Sequence, residues 1–225
     1  MDSVDDDKMF SLAQQLRQPH GAGGIQIGQL MHESNIGMTR ACFSSLQAAA
    51  GDRLLEIGHG NAAHVADLFR AQPALRYQGL ETSTLMQEEA QRLNPSLAAR
   101  GLARFTHYAG ERFPFDEQTF DKVMTVNTLY FQARPDRFLA EVCRVLKPGA
   151  RFSLAFVPAD FMRELPFVQY GFTLFGVEEA RLLLGQAALT VEGVDMFEES
   201  VSSKSEPGAT TLRPFIVIRA LKDGG

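Results

Sequence analysis

Two spaced glycines follow an apolar run with a single acid in Leu54-Leu55-Glu56-Ile57-Gly58-His59-Gly60-Asn61, and a helix-like stretch begins directly afterwards. Gly58 and Gly60 remove the Cβ that would keep the main chain away from a ligand, and they accept backbone angles that other residues resist. The helix behind them opens its N-terminus toward the same place. Such a segment cradles an adenosine-containing ligand at the end of a strand. A second acid, Glu81, closes the next apolar run 23 residues after Gly58. A carboxylate there can accept both hydroxyls of an adenosine ribose. A dinucleotide and S-adenosylmethionine both satisfy these two features, because residues 58–63 also fit the looser dinucleotide fingerprint that ends in alanine.

Groups placed this way need strands and helices in alternation, and the chain supplies them. Strands are expected at residues 53–57, 75–80, 102–107, 120–127 and 151–157. Between them, helices are expected at 62–70, with Val65, Leu68 and Phe69 on one face, and from Ser83 or Thr84 to about Gly101, with Met86, Ala90, Leu93 and Leu97 recurring at helical spacing. A third starts at Pro135, buries Phe138, Leu139, Val142, Val145 and Leu146, and stops at Lys147-Pro148-Gly149. Alternation of this kind is the sequence form of a parallel sheet covered on both faces. A helix at 177–184 then precedes strands at 190–199 and 212–220, joined by a polar loop at 202–210 and so expected to pair antiparallel. Pro214 should mark a bulge or an exposed edge of the last strand. The expected fold is therefore a doubly wound α/β sheet of seven strands, mostly parallel, finished by a C-terminal antiparallel hairpin.

Some fifty residues precede this sheet. Residues 10–17 read as a helix and 19–24 as a glycine-rich break, after which Ser34 or Asn35 could cap a helix bearing Met38, Cys42, Leu46 and Ala49. The expected division is a helical arm at 1–50 that acts as a lid, and a ligand-binding domain at 51–225.

Composition narrows the function classes. The 225 residues carry a formal net charge of −5 with no concentration of Lys or Arg, which argues against a nucleic-acid partner. No apolar run approaches the roughly 20 residues that span a bilayer, and residues 1–8 are acidic, unlike the start of a secretion signal. A cytoplasmic enzyme without a membrane partner is the expectation. Cys42 and Cys143 lie far apart in apolar patterns and are expected to be free thiols. The five histidines have no ligand-pair spacing, so no metal is expected. His59 is expected to contribute only backbone, and His64 to face outward or pack on its helix.

The chain at large resembles the class I S-adenosylmethionine-dependent methyltransferases, in particular the small-molecule group with a type 11 methyltransferase domain. The resemblance rests on residues 55–61, on Gly79-Leu80-Glu81-Thr82-Ser83 with Met86, on Gly110-Glu111-Arg112-Phe113-Pro114-Phe115, on Phe120-Asp121-Lys122-Val123, and on residues 141–149. Met31-His32-Glu33-Ser34-Asn35 is similar to the arm before this domain in some bacterial members. It implies a Rossmann-like methyltransferase fold with S-adenosylmethionine as cofactor. Glu56 would orient the glycine loop and face the cationic methionine end, Gly58 and Gly60 would lie under the ligand, and Glu81 would bind the ribose. Thr82 and Met86 would border the adenine, Gly110 and Glu111 would meet its amino group, and Asn127 would sit by the methionine portion. The chain departs from the family where Ala62 stands for the third glycine, Ala109 for an acid, and Ala150 for the glycine after Pro148-Gly149.

Methyl transfer by in-line displacement needs alignment and exclusion of water rather than a nucleophilic side chain. No catalytic residue is assigned; Tyr130, His32 and Glu33 are candidates for a base, should the acceptor arrive protonated. Tyr130 and Phe161, with Met31 and His32, could wall a pocket for a small apolar acceptor. Two other readings stay open: an NAD-dependent oxidoreductase, and a non-catalytic protein that binds S-adenosylmethionine as a partner subunit. A homodimer is left open as well.

Overall fold

A computed structural model describes residues 3–202, 208 and 210–224. In chain order the elements are α1 (Ser3–Arg17), α2 (Gly21–Leu46), β1 (Arg53–Ile57), α3 (Val65–Ala71), β2 (Arg76–Glu81), α4 (Thr84–Leu93), α5 (Pro95–Ala99), β3 (Ala103–His107) and β4 (Phe120–Val126). A 3₁₀ turn (Leu129–Phe131), α6 (Pro135–Val145), β5 (Leu146–Phe156), α7 (Ala159–Met162), α8 (Val177–Gln186), β6 (Leu189–Ser202) and β7 (Thr210–Lys222) complete the chain.

The seven strands form one sheet in the order β3-β2-β1-β4-β5-β7-β6. Five strands are parallel; β7 runs antiparallel to both β5 and β6. The expected α/β sheet with its terminal hairpin is present. The order reverses between β1 and β4, which opens a crevice at their carboxyl ends, where sheets of this kind take ligands. The β1 residues Leu54, Leu55 and Ile57 are buried, as a strand covered on both faces requires.

Pro214 pairs with Glu198 of β6, beyond the Ile216–Phe156 rung where β5 ends, so β7 is an exposed edge on its other side at that position. The polar loop between the last two strands lies largely outside the described residues.

Three expectations need correction. The helix after Ser83 is not continuous: Ser83 caps it as expected, its hydroxyl accepting from the Met86 amide at 3.1 Å, but it ends at Leu93 and α5 restarts at Pro95. Proline removes the amide that the helix interior needs. β5 begins at Leu146, earlier than expected, because Lys147-Pro148-Gly149 forms an irregularity within the strand rather than a linker before it. Most of all, residues 19–24 do not form a glycine-rich break, and neither Ser34 nor Asn35 caps a helix. The break narrows to Gln18-Pro19-His20, and α2 runs unbroken through Gly21, Gly24, Gly28 and Ser34.

Glycine costs about 1 kcal/mol in a helix interior relative to alanine, and close packing offsets it here. A Cβ on Gly28 would fall 2.5 Å from Met86 Sδ, and one on Gly24 2.6 Å from Leu85 Cδ2. The small residues thus let α2 lie directly on α4. Its C-terminal half enters the core, where Met38, Cys42 and Leu46 are buried with Leu54, Leu154 and Val217 of the sheet.

Candidate active site

The crevice is built from the ends of β1, β2 and β4. β1 finishes on Glu56-Ile57 and passes into Gly58, whose φ of +74° is a left-handed conformation suited to glycine. A side chain at Gly58 would also run into the Thr128 methyl. The Gly58 amide donates to Leu80 O at 2.8 Å, fixing the loop to β2. Glu81, buried at the end of β2, accepts from the Gly60 amide at 3.0 Å and from those of Thr82 and Ser83 at 2.8 and 2.9 Å. The ribose candidate therefore also organises the glycine loop: Oε1 accepts two amides and Oε2 one, which leaves a lone pair on Oε2 to accept a ligand hydroxyl.

Asn127, one residue past β4, takes φ +55°, a conformation that asparagine adopts more readily than most residues. Its Oδ1 accepts from Tyr130 Oη at 2.9 Å. Tyr130 Oη also accepts from the Val157 amide, so the hydroxyl is fully engaged, and burial raises its pKa well above the ordinary value. That removes Tyr130 as a base and makes it a brace for Asn127.

A cavity opens here, lined by Glu56, Gly58, Gly60, Glu81, Thr82, Met86 and Asn127. These seven of the nine expected cofactor residues are brought together. Gly110 and Glu111 are not: Tyr108 takes up the wall instead, its amide donating to Glu81 O at 3.0 Å, and Glu111 is exposed beyond it. The arm contributes Leu16, Arg17, Pro19, Gly28, Met31 and His32 to the lining. It is latched to the sheet by Gln18 Nε2 donating to Thr82 O at 2.8 Å and Ser83 Oγ donating to Pro19 O at 2.5 Å.

A second cavity adjoins the first and shares Leu16, Met31, Asn35, Asn127 and Phe131 with it. Tyr130 and Phe161 line it, with Met162, Leu165, Phe167 and Phe172. The segment after β5 thus forms an apolar wall, as its aromatic content suggested. Of the base candidates, only His32 lines the first cavity; Glu33 is exposed and accepts from Gln29 Nε2 at 2.7 Å.

Two histidines depart from expectation. His64 faces inward: it is buried, and its Nε2 donates to Glu56 Oε2 at 2.8 Å, while Tyr77 Oη donates to the same oxygen at 2.6 Å. Burial acts to raise the Glu56 pKa, but His64 and the two hydrogen bonds outweigh it and hold the carboxyl below its ordinary value. The reason is geometric: α3 begins only at Val65, so His64 belongs to the loop that folds back over β1 rather than to a solvent-facing helix. His59 also contributes a side chain, buried edge-on against Phe105 with its Nδ1 donating to Gly60 O at 2.7 Å. Burial pushes its pKa down and keeps it neutral. His64 stacks on His32 at 6.2 Å, and burial, followed by His64, lowers the His32 pKa.

Sequence reasoning missed His64, Tyr77, Tyr108 and Arg213, which lines the second cavity. The signal for Arg213 was a charge next to Pro214, just before the apolar run Phe215-Ile216-Val217-Ile218. None marked Tyr77 or Tyr108, whose aromatic rings read as ordinary core.

Cys42 is buried, with its thiol donating to Ser153 Oγ at 3.1 Å and its pKa pushed up to about 12 by burial, which makes it inert. Both cysteines are free. Among the described residues no group of His, Cys, Asp and Glu is arranged to hold a metal ion, and no helix is long and apolar enough to cross a membrane.

Comparison with known proteins agrees with this geometry. Residues 55–154 match the family model described as a methyltransferase domain. Phthiotriol/phenolphthiotriol dimycocerosates methyltransferase of Mycobacterium leprae is 32% identical over 108 residues, covering 47% of this chain and 38% of that protein. O-methyltransferase resE of Aspergillus sclerotiorum is 25% identical over 142 residues, covering 60% of this chain and 53% of that one. The chain thus spans 38% and 53% of the length of these curated relatives. A chain in the complex between the Haloferax volcanii Trm112 methyltransferase activator and the putative methyltransferase superposes with a TM-score of 0.73 at 17% identity, covering 96% of this chain and 98% of that one. A dinucleotide fold in its usual order 3-2-1-4-5-6 lacks the antiparallel strand that β7 inserts beside β5. With ordered motifs, strand order and cavity in agreement, residues 55–154 are similar to a methyltransferase domain, and the fold is that of Rossmann-like methyltransferases.

Proposed function

We propose that this protein moves a methyl group from S-adenosylmethionine to a small apolar acceptor by in-line displacement. The observation that carries this reading is the meeting of two cavities at Asn127, Met31 and Phe131, the more polar one bounded by the glycine loop and Glu81, the other walled by aromatic side chains. The first fits the cofactor: Gly58 and Gly60 line it with backbone that carries no side chain, and Glu81 stands buried at the strand end where a ribose hydroxyl needs an acceptor. Bound there, S-adenosylmethionine would supply an electrophilic methyl group on its sulfonium.

The residues of this chain would do the rest. Glu81 would accept the ribose hydroxyls, Thr82 and Met86 would border the adenine, and Glu56 and Asn127 would flank the methionine end. Gly110 and Glu111 have no such support, since neither lines the cavity. The arm at 1–50 would act as the lid of the domain at 51–225, with Leu16, Met31 and His32 excluding water from the junction. Orientation and exclusion of water are worth about 7–11 kcal/mol in favourable intramolecular cases, so no nucleophilic side chain is needed. His32, held neutral at pH 7 by its lowered pKa, is the group placed to accept a proton from an acceptor that carries one.

A thermal-shift comparison tests the reading. S-adenosylhomocysteine at saturating concentration should raise the melting temperature, and NAD should leave it unchanged. Stabilisation by NAD alone would turn the proposal toward an oxidoreductase.

A further inference from the structure

Asn35 stands where the two cavities meet and lines both. On α2, Gly28, His32, Asn35 and Thr39 recur at helical spacing and all line the first cavity, so the helix face that carries Asn35 is the one turned toward the site. Arg213 Nη1 donates to Asn35 Oδ1 at 3.1 Å, and Arg213 is itself held by Glu199 and by Ser34 O. A guanidinium has donors and no acceptor, so the amide end that meets it must be the oxygen and the other end the NH₂ group. That Nδ2 donates to nothing among the described residues, yet it is not sealed in. The side-chain nitrogens and oxygens that are both sealed and unpartnered there are His59 Nε2 and Arg213 Nε.

Few other groups at the junction can meet a polar ligand. Of the five residues shared by the two cavities, only Asn35 and Asn127 are polar. Asn127 Oδ1 accepts from Tyr130 Oη, its Nδ2 faces Met38 Sδ at 3.3 Å, and the reading above gives it to the cofactor. Beyond the junction Phe161, Phe167 and Phe172 supply an apolar wall. His32, three residues before Asn35 on the same face, is the neighbouring side chain able to take a proton.

These groups select the acceptor atom. It must give one lone pair to the Asn35 N–H, keep another for the methyl group, and lose a proton to His32. An amine nitrogen has a single lone pair, which the amide would occupy. A carboxylate has lone pairs and no proton to lose. A hydroxyl has two lone pairs and a proton, and an aryl hydroxyl, with a pKa of about 10 as in tyrosine, lies closer to an imidazole base than an alkyl one does.

Resting on the reading of these cavities as cofactor and acceptor sites, we propose that Asn35 Nδ2 holds the hydroxyl oxygen of an apolar aryl alcohol at the junction, and that this oxygen is the atom methylated. The O–CH₃ bond forms as the S–CH₃ bond breaks, the sulfonium becomes the neutral thioether of S-adenosylhomocysteine, and the hydroxyl proton passes to His32. Arg213 acts through Asn35, fixing which end of the amide faces the acceptor.

The test uses the intact chain with 2-naphthol, 2-naphthylamine, 2-naphthoate and 2-methylnaphthalene as probes. In calorimetry with S-adenosylhomocysteine present, 2-naphthol should bind about tenfold more tightly than 2-methylnaphthalene, the size of one or two neutral hydrogen bonds. Methyl label from S-adenosylmethionine should appear as 2-methoxynaphthalene and on neither the amine nor the naphthoate. Asn35→Asp keeps an oxygen for Arg213 but replaces the free donor with an acceptor, and should abolish the naphthol preference in protein shown to be folded by circular dichroism. Should that variant unfold, the wild-type comparisons stand by themselves. Equal affinity for 2-naphthol and 2-methylnaphthalene, label on the amine or the naphthoate, binding of 2-naphthol without methyl transfer, an unchanged preference in folded Asn35→Asp, or failure of all four probes to bind while S-adenosylhomocysteine binds would overturn the proposal. Absence of S-adenosylhomocysteine binding by the folded wild-type chain would instead overturn the methyltransferase reading and take this inference with it.

Discussion

His64 Nε2 lies 2.8 Å from Glu56 Oε2, with both side chains buried at the root of the glycine loop. The bond ties the end of β1 to the residue just before α3, so the loop between them is closed at its base. Removing one member of a buried pair leaves the other uncompensated, at a cost of about 3 kcal/mol or more. His64→Phe should show that loss in denaturant unfolding.

The same carboxyl gives a pH dependence of definite sign. The folded Glu56 pKa lies below its ordinary 4.5, so its contribution to stability is fully present above about pH 4.5 and is lost as pH falls through the folded value. Wild-type stability should therefore drop more steeply than that of Glu56→Gln as pH is lowered from 5. Parallel curves for the two proteins would show that Glu56 is not held ionised.

Ala62 occupies φ +52° while fully buried, the position where the family keeps glycine. A left-handed non-glycine residue carries about 1–2 kcal/mol of strain, partly offset by the lower entropy of the unfolded alanine chain. Ala62→Gly should be stabilising by up to about 1 kcal/mol, a rise of about 2–4 °C in melting temperature for a chain of this size. A clear fall in calorimetric melting temperature would mean that the Ala62 methyl packs usefully.

Tyr130→Phe separates bracing from catalysis. Loss of the hydroxyl leaves Asn127 Oδ1 and the Val157 amide without a partner, and stability should fall by about 1–3 kcal/mol. S-adenosylhomocysteine affinity should fall with it, because Asn127 loosens. The pH profile of any measured methyl transfer should keep its shape; loss of a limb would restore Tyr130 as a base.

The sheet was legible because its strands are short apolar runs bounded by turn residues, and β1 matches residues 53–57 at both ends. α2 was hidden because Gly21, Gly24, Gly28 and Ser34 carry helix-breaking preferences, and only the packing of Gly24 on Leu85 and of Gly28 on Met86 of α4 explains those two glycines. Gly58, Gly60 and Glu81 could be read from spacing, since a ligand at a strand end demands backbone access and one acid. Glu56 was found, but its partners were not: His64 and Tyr77 meet it across 8 and 21 residues of chain, with no local periodicity to betray the contact. Glu111 was misplaced because resemblance fixes its order in the chain and not the direction in which the chain leaves β3.

The central claim is that the loop at Gly58 and Gly60, closed by Glu81, is the cofactor site. Titration calorimetry of S-adenosylhomocysteine into the wild-type chain and into Glu81→Ala, with circular dichroism to verify folding, tests it most directly. One site per chain is expected in the wild type, with affinity at least about tenfold weaker in the variant for loss of charge-assisted hydrogen bonds to the ribose. Equal affinity in the two folded proteins, or no binding to the wild type, would contradict the account.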